Sequence, residues 1–202
     1  MDSSSFFFRR LHSLSGVIPL GVFLLEHLYL NSYALKGPAA YNKIVGTLEG
    51  LPFLIPIEFF LIILPLSFHG IYGLWITWGA STNLATYSYY RNWMYYLQRV
   101  AGVITFIFVG YHFYTLRLQA VLFGTEISFQ SVTEQLHHPA IFLLYLVGTV
   151  AAVYHFTNGL FTFCITWGLT VGPKSQRVAG AVSTVAFLAI AALGINALVA
   201  FR

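Results

Sequence analysis

Long apolar runs separated by short polar connections make up nearly the whole chain. A helix that crosses a membrane needs about 20 mostly apolar residues. Five segments supply them, at about Leu11 to Leu30, Ile57 to Ala80, Trp93 to Ala120, Pro139 to Gly168 and Val178 to Phe201. The pattern predicts an all-α membrane protein in one membrane domain, residues 1–202, with helices 1–4 forming a bundle and a fifth helix flanking it. The long third and fourth runs are expected to tilt or to project into water. The connections carry matching punctuation. Asn31 to Pro56 holds Gly37-Pro38 and Pro52, and a short surface helix is expected to start at Pro38. Ser81 to Asn92 is polar and tyrosine-rich, Val121 to His138 offers Ser131 with Glu134 as a capping box, and Thr170 to Arg177 reads as a tight turn at Gly172-Pro173.

Composition sharpens this picture. Hydrophobic residues make up 58% of the 202 and charged residues only 8%, where a soluble domain carries about a quarter charged. The net charge of +4 invites a nucleic-acid reading, but the basic residues sit singly at the ends of apolar runs. That placement fits lipid headgroup contacts and topology signals instead. Arg9, Arg10, Arg91, Arg99, Lys174 and Arg177 fall on one side and Lys36, Lys43, Arg117 and Arg202 on the other. The bias places the N-terminus in the cytoplasm. Arg9-Arg10 before an apolar run resembles an export signal, yet the run contains Glu26 and His27 and lacks a small-residue cleavage site, so a retained first helix is expected. Cys164 is the single cysteine, which excludes an intrachain disulfide and a cysteine-based iron–sulfur motif.

The chemistry lies in the histidines. Of seven, His12, His137 and His138 read as interfacial, solvated residues, while His27, His69, His112 and His155 fall one each within the first four spans. At about 1.5 Å of rise per residue, His27 and His112 lie roughly 24–28 Å from the N-terminal side of the membrane and His69 and His155 roughly 16–20 Å from it. The four sort into an outer and an inner pair, each joining alternate helices that face one another across an up-down-up-down bundle. Two imidazoles on opposite faces of one iron are what a bis-histidine haem needs, so the set predicts two haem b groups. Gly73 and Gly159 each follow an inner histidine by four residues, one turn along on the same face, and are expected to leave room beside it for a flat macrocycle. Pro65, four before His69, is expected to kink the second span.

The same residues carry a family resemblance. Phe8-Arg9-Arg10-Leu11-His12-Ser13-Leu14 with Gly16-Val17-Ile18-Pro19, then Tyr87-Ser88-Tyr89, Arg91-Asn92-Trp93-Met94, Leu97-Gln98-Arg99, His155-Phe156 with Asn158-Gly159-Leu160, Trp167-Gly168 and Ser175-Gln176-Arg177 resemble the cytochrome b membrane-anchor subunit of succinate:quinone oxidoreductases (complex II). The form is the single-chain, five-helix, dihaem one typical of Bacillus-type succinate dehydrogenases. The resemblance implies a proximal haem on His69 and His155 and a distal haem on His27 and His112. It also implies flavoprotein and iron–sulfur partner subunits, menaquinone or a related quinone as substrate, and residence in a bacterial cytoplasmic membrane. The dicarboxylate chemistry would belong to the partners, and this chain would contribute anchoring, haem binding and quinone exchange.

Haem propionates are anionic, so Arg9, Arg10, Arg91, Arg99 and Arg177 are candidate partners for them at the inner edge, although each alone also reads as a headgroup residue. Glu26, beside His27, and Glu58, at the start of the second span, are candidates for the quinone site, since buried carboxylates carry protons. Helix capping or a bond to a neighbour explains either equally well. The fourth span has no acidic residue, which argues against a proton path beside its histidine. Two alternatives stay open: a dihaem cytochrome b of another quinone-linked oxidoreductase, whose ligands tend to group on fewer helices, and a haem-free transporter, which would show broken helices or paired intramembrane charges.

Overall fold

Proline and glycine set most of the helix limits. Pro38, Pro139 and Pro173 each stand in the first turn of a helix, where the missing N–H costs nothing. Gly37 and Gly124 end helices with positive φ, of 88° and 68°. The computed structural model describes residues 3–202, and every regular element among them is helical. Five helices are long and apolar enough to cross a membrane: Ser5–Lys36, Leu54–Trp78, Tyr90–Phe123, Pro139–Thr166 and Pro173–Ala200, here the first to fifth spans.

The spans differ from the apolar runs at their ends, because helical hydrogen bonding continues past the apolar residues. The first helix is already formed from Ser3, so His12 lies well inside it. The fifth begins at Pro173, which puts Lys174 and Arg177 on the helix and not in a turn. The surface helix expected at Pro38 runs over Pro38–Glu49. A second short helix, Phe129–Leu136, is capped by Ser128 with Ser131 as its reciprocal partner. This corrects the expected box of Ser131 with Glu134: the helix starts earlier, and Glu134 instead accepts from Gln130 at 2.8 Å.

Three spans are irregular. The first is interrupted at Ile18, resumes at Pro19 and tightens into a 3₁₀ turn over Ser32–Lys36. The second contains a π-helical turn, Phe59–Ile63, immediately before Pro65. The wider turn accommodates a proline ring that would otherwise press on the carbonyl of Leu61. The third carries a π-helical turn, Phe113–Leu118, directly after His112.

The first four spans form a ring in which each touches the next and the fourth returns to the first. The first and third, and the second and fourth, therefore face each other on the diagonals. The fifth span packs along the fourth and against the first. Lipid tails are as apolar as leucine, so these contacts depend on small residues and interhelical hydrogen bonds. Gly194 lets Thr149 and Leu28 approach the fifth span, and Ser183 Oγ donates to the Thr157 carbonyl at 2.6 Å. On the opposite face Val178, Val182, Val185 and Leu188 are each more than half exposed, as lipid-facing residues should be.

The two short helices close one end of the bundle. There Ala34, Tyr41, Phe108, Val132, Leu136, Tyr145, Leu198 and Phe201 form a buried cluster. Tyr41 lies edge-on to Phe201 at 4.9 Å, and burial, with Glu49 nearby, pushes its hydroxyl up to about 12, so it stays neutral. Gly148 of the fourth span is where Phe108 of the third is seated, and a β-carbon there would overlap the ring. Gly148→Val is expected to cost about 1–3 kcal/mol through overpacking. Thermal unfolding of the purified chain in detergent measures this, and an unchanged midpoint would contradict the packing described.

Candidate functional site

An imidazole placed in hydrocarbon must find partners for its ring nitrogens. His69 of the second span and His155 of the fourth meet on one diagonal, with ring centres 6.1 Å apart and planes at 85°. Each directs Nδ1 at a backbone carbonyl of a neighbouring span. His69 Nδ1 donates to the His12 carbonyl at 3.0 Å, and His155 Nδ1 donates to the Gln98 carbonyl at 3.0 Å. A carbonyl only accepts, so the proton must sit on Nδ1 in both rings, and Nε2 is left with its lone pair. Further polar side chains make hydrogen bonds around the two rings. Ser15, 8% exposed, donates to the His12 carbonyl at 3.0 Å. Gln98 Nε2 donates to the His155 carbonyl at 2.9 Å, and Asn158, itself buried, donates to Gln98 Oε1 at 2.6 Å.

The glycines that seat these rings belong to the neighbouring spans. A β-carbon on Gly16 would overlap the His69 ring, and one on Gly102 would lie 2.9 Å from His155 Cε1. The spaces beside Gly73 and Gly159 are taken by other side chains: His12 Nε2 would lie 3.0 Å from a β-carbon at Gly73, and Gln98 Nε2 3.3 Å from one at Gly159. Helical spacing correctly placed those two glycines on the histidine face, but it carries no information about which neighbour fills the gap.

His12 corrects a sequence expectation. Instead of a solvated interfacial residue it is half-buried in the inner site, its ring stacked on His69 at 4.1 Å and 6°. The helix starts before the apolar run does, which carries His12 inward. His137 and His138 are exposed at the opposite end, as expected.

On the other diagonal His27 of the first span meets His112 of the third, with ring centres 5.6 Å apart and planes at 83°. His112 Nδ1 lies 3.3 Å from the Tyr145 hydroxyl. His27 Nε2 lies 3.3 Å from the Asn31 amide nitrogen, which donates to the His27 carbonyl at 2.8 Å. Among the described residues no three histidine, cysteine or acidic side chains cluster as a metal site.

The charged candidates separate. Arg10 donates to the Thr166 carbonyl and lies over the Phe6 and Trp167 rings. Arg91 donates to Gln176 at 2.8 Å. Arg99 donates to the Tyr95 carbonyl at 2.9 Å and keeps a buried Nε without a partner. It also borders a hollow of about 330 Å³ with Thr77, Tyr96 and Val103. Arg9 and Arg177 are exposed. Glu26 is exposed on the bundle periphery. Glu58 is held by Arg117, whose Nη2 and Nε reach Oε2 at 2.6 and 2.9 Å. Sequence reasoning missed Ser15, Gln98, Asn158 and Tyr145 as supports. The signal that finds them is a polar residue inside an apolar span, which must have a partner.

An all-α integral-membrane bundle with histidines paired across its two diagonals is the class that fold and site define. The chain belongs to the succinate dehydrogenase/fumarate reductase transmembrane subunit family, whose model matches residues 77–195. It is 44% identical over 196 residues to the succinate dehydrogenase cytochrome b558 subunit of Bacillus subtilis (strain 168), covering 97% of this chain and 96% of that one. As a member of that family it is a membrane cytochrome b subunit of an enzyme complex.

The Glu58–Arg117 pair ties the second span to the third. A double-mutant cycle of Glu58→Gln and Arg117→Gln on thermal stability is expected to give a coupling energy of about 1 kcal/mol or more, and strict additivity would show that the pair contributes nothing.

Proposed function

We propose that the chain is the dihaem anchor of a succinate:quinone oxidoreductase, passing electrons between an iron–sulfur subunit and a membrane quinone, with menaquinone as the quinone. The observation that carries this reading is the pairing of His69 with His155 and of His27 with His112 on the two diagonals, at ring separations of 6.1 and 5.6 Å. Two metal–nitrogen bonds of about 2 Å each put imidazole centres on opposite sides of one metal about 6 Å apart. The donor chemistry fits as well. The inner rings carry their protons on Nδ1 and present Nε2 as a ligand, and Gly16 and Gly102 keep the space that each ring occupies clear. At the outer pair the ligand reading requires the Asn31 amide to release His27 Nε2.

Each haem, when bound, supplies a one-electron iron couple. The protein's part is to hold two such positions at different depths in a medium of low dielectric. Its helices satisfy most of their own backbone groups, and Ser15, Gln98 and Asn158 add side-chain hydrogen bonds around the inner pair. Electron movement across the full bilayer couples to the membrane potential by about 2.3 kcal/mol per 100 mV, which matters where the redox gap between succinate and the quinone is small. Arg9, Arg10, Arg91, Arg99 and Arg177 are the proposed propionate partners, and the unpartnered Nε of Arg99 favours Arg99 among them. The contacts Arg10–Thr166 and Arg91–Gln176 bring the basic starts of the first, third and fifth spans to one end. We assign that end to the cytoplasm, where the flavoprotein and iron–sulfur partners would dock. Glu26 and Glu58 lie toward the opposite end, with the proposed quinone chemistry. One histidine on each of four helices favours this family's arrangement over other dihaem cytochromes b.

Single substitutions test the assignment. His69→Ala or His155→Ala should remove the inner haem, and His27→Ala or His112→Ala the outer one, each leaving one haem b per chain by pyridine haemochrome assay. Two haems retained in His69→Ala would overturn the pairing.

A further inference from the structure

The four paired histidines are not supported alike. Both inner rings end on backbone carbonyls, His69 on that of His12 and His155 on that of Gln98, which no side-chain substitution removes. His112 ends on a side chain, the hydroxyl of Tyr145, 3.3 Å from its Nδ1. That hydroxyl in turn donates to Gln135 Oε1 at 3.1 Å. The directions agree along the chain: an imidazole N–H gives to the phenol oxygen, and the phenol O–H gives to an amide oxygen that only accepts. Tyr145 is 5% exposed. Its ring is pinned edge-on by Phe108 at 5.2 Å, and Phe108 is admitted by Gly148. Gln135 reaches the wall of an open, polar pocket of about 360 Å³, lined also by Thr115, Glu126, Ser131 and Glu134.

We propose that Tyr145 is a positioning residue for the outer axial ligand His112, and that the chain from His112 through Tyr145 to Gln135 sets the reduction potential of the outer haem alone. This rests on the dihaem reading above. An acceptor on Nδ1 makes the imidazole a stronger donor to the iron and favours the oxidised state. A phenol that is itself donating to an amide is a better acceptor than one that is not, because successive hydrogen bonds polarise each other. Gln135 therefore acts on the iron only through Tyr145.

The test is a potentiometric titration of the purified complex, followed optically, for the wild type, Tyr145→Phe, Gln135→Leu and the double variant. The outer haem is identified as the one missing from His27→Ala. In Tyr145→Phe both haems should remain, with the outer midpoint raised by up to about tenfold in its one-electron equilibrium (59 mV) and the inner one unmoved. Gln135→Leu should raise the outer midpoint by less, and the double variant should match Tyr145→Phe. Such non-additivity marks one shared path, and a merely structural role would not produce it. An unmoved outer midpoint in both single variants, equal shifts at both haems, or fully additive shifts would overturn the proposal. Should Tyr145→Phe lose the outer haem, Gln135→Leu decides: an upward shift supports the chain and no shift overturns it. A wild-type complex without two haems would instead overturn the underlying dihaem reading.

Discussion

Polar groups inside the spans must be satisfied by other parts of the protein, and the rest of the structure follows from how the histidines meet that demand. An unmade hydrogen bond in hydrocarbon costs several kcal/mol. His69 meets its requirement on the first span, at the His12 carbonyl, and His155 meets its own on the third, at the Gln98 carbonyl. Each of these bonds fixes the relative height and rotation of two adjacent helices. Ser183 does the same between the fifth span and the fourth, at the Thr157 carbonyl. The bundle is thus held in register by a few directional bonds, while small residues set how closely the helices approach. Gly16 and Gly102 serve both purposes, since the close approach that they allow is also what seats the inner rings.

The helix irregularities fit the same account. Proline at positions 19 and 65 removes a donor from the ladder, and the chain answers with an interruption at Ile18 and a π-helical turn at Phe59–Ile63. The π-helical turn after His112 carries Arg117, which closes on Glu58 of the second span. Two of these departures from α geometry thus answer a proline, and the third brings a side chain to a neighbouring span.

Much of this was legible in the sequence. Five apolar runs of membrane length yielded five spans, and the order of the spans yielded the diagonal pairing of His27 with His112 and His69 with His155, because depth follows from helical rise and facing follows from alternation. Pro38 announced its surface helix. What remained hidden depends on neighbours that no single helix encodes. His12 looked interfacial because it stands at the very start of the apolar run, beside Arg9 and Arg10, whereas the helix begins well before it. Gly73 and Gly159 sit on the expected face, yet His12 and Gln98 fill the space beside them. Glu58 read as a quinone-site candidate, a helix cap or the partner of a neighbour, and only the third span shows that the neighbour is Arg117. Gln98, Asn158 and Tyr145 were visible as polar residues in apolar runs, but their partners lie across the bundle.

Membership of the succinate dehydrogenase/fumarate reductase transmembrane subunit family makes the chain a membrane cytochrome b subunit, and the dihaem proposal rests on the geometry of the paired imidazoles. The central claim is that one chain carries two bis-histidine haems at two depths. The most direct test is a dithionite-reduced-minus-oxidised spectrum of the complex purified from membranes, with haem b quantified per polypeptide. The account predicts two haems per chain. One haem would leave one histidine pair with a purely structural role, and none in a folded, haem-supplied preparation would contradict the account.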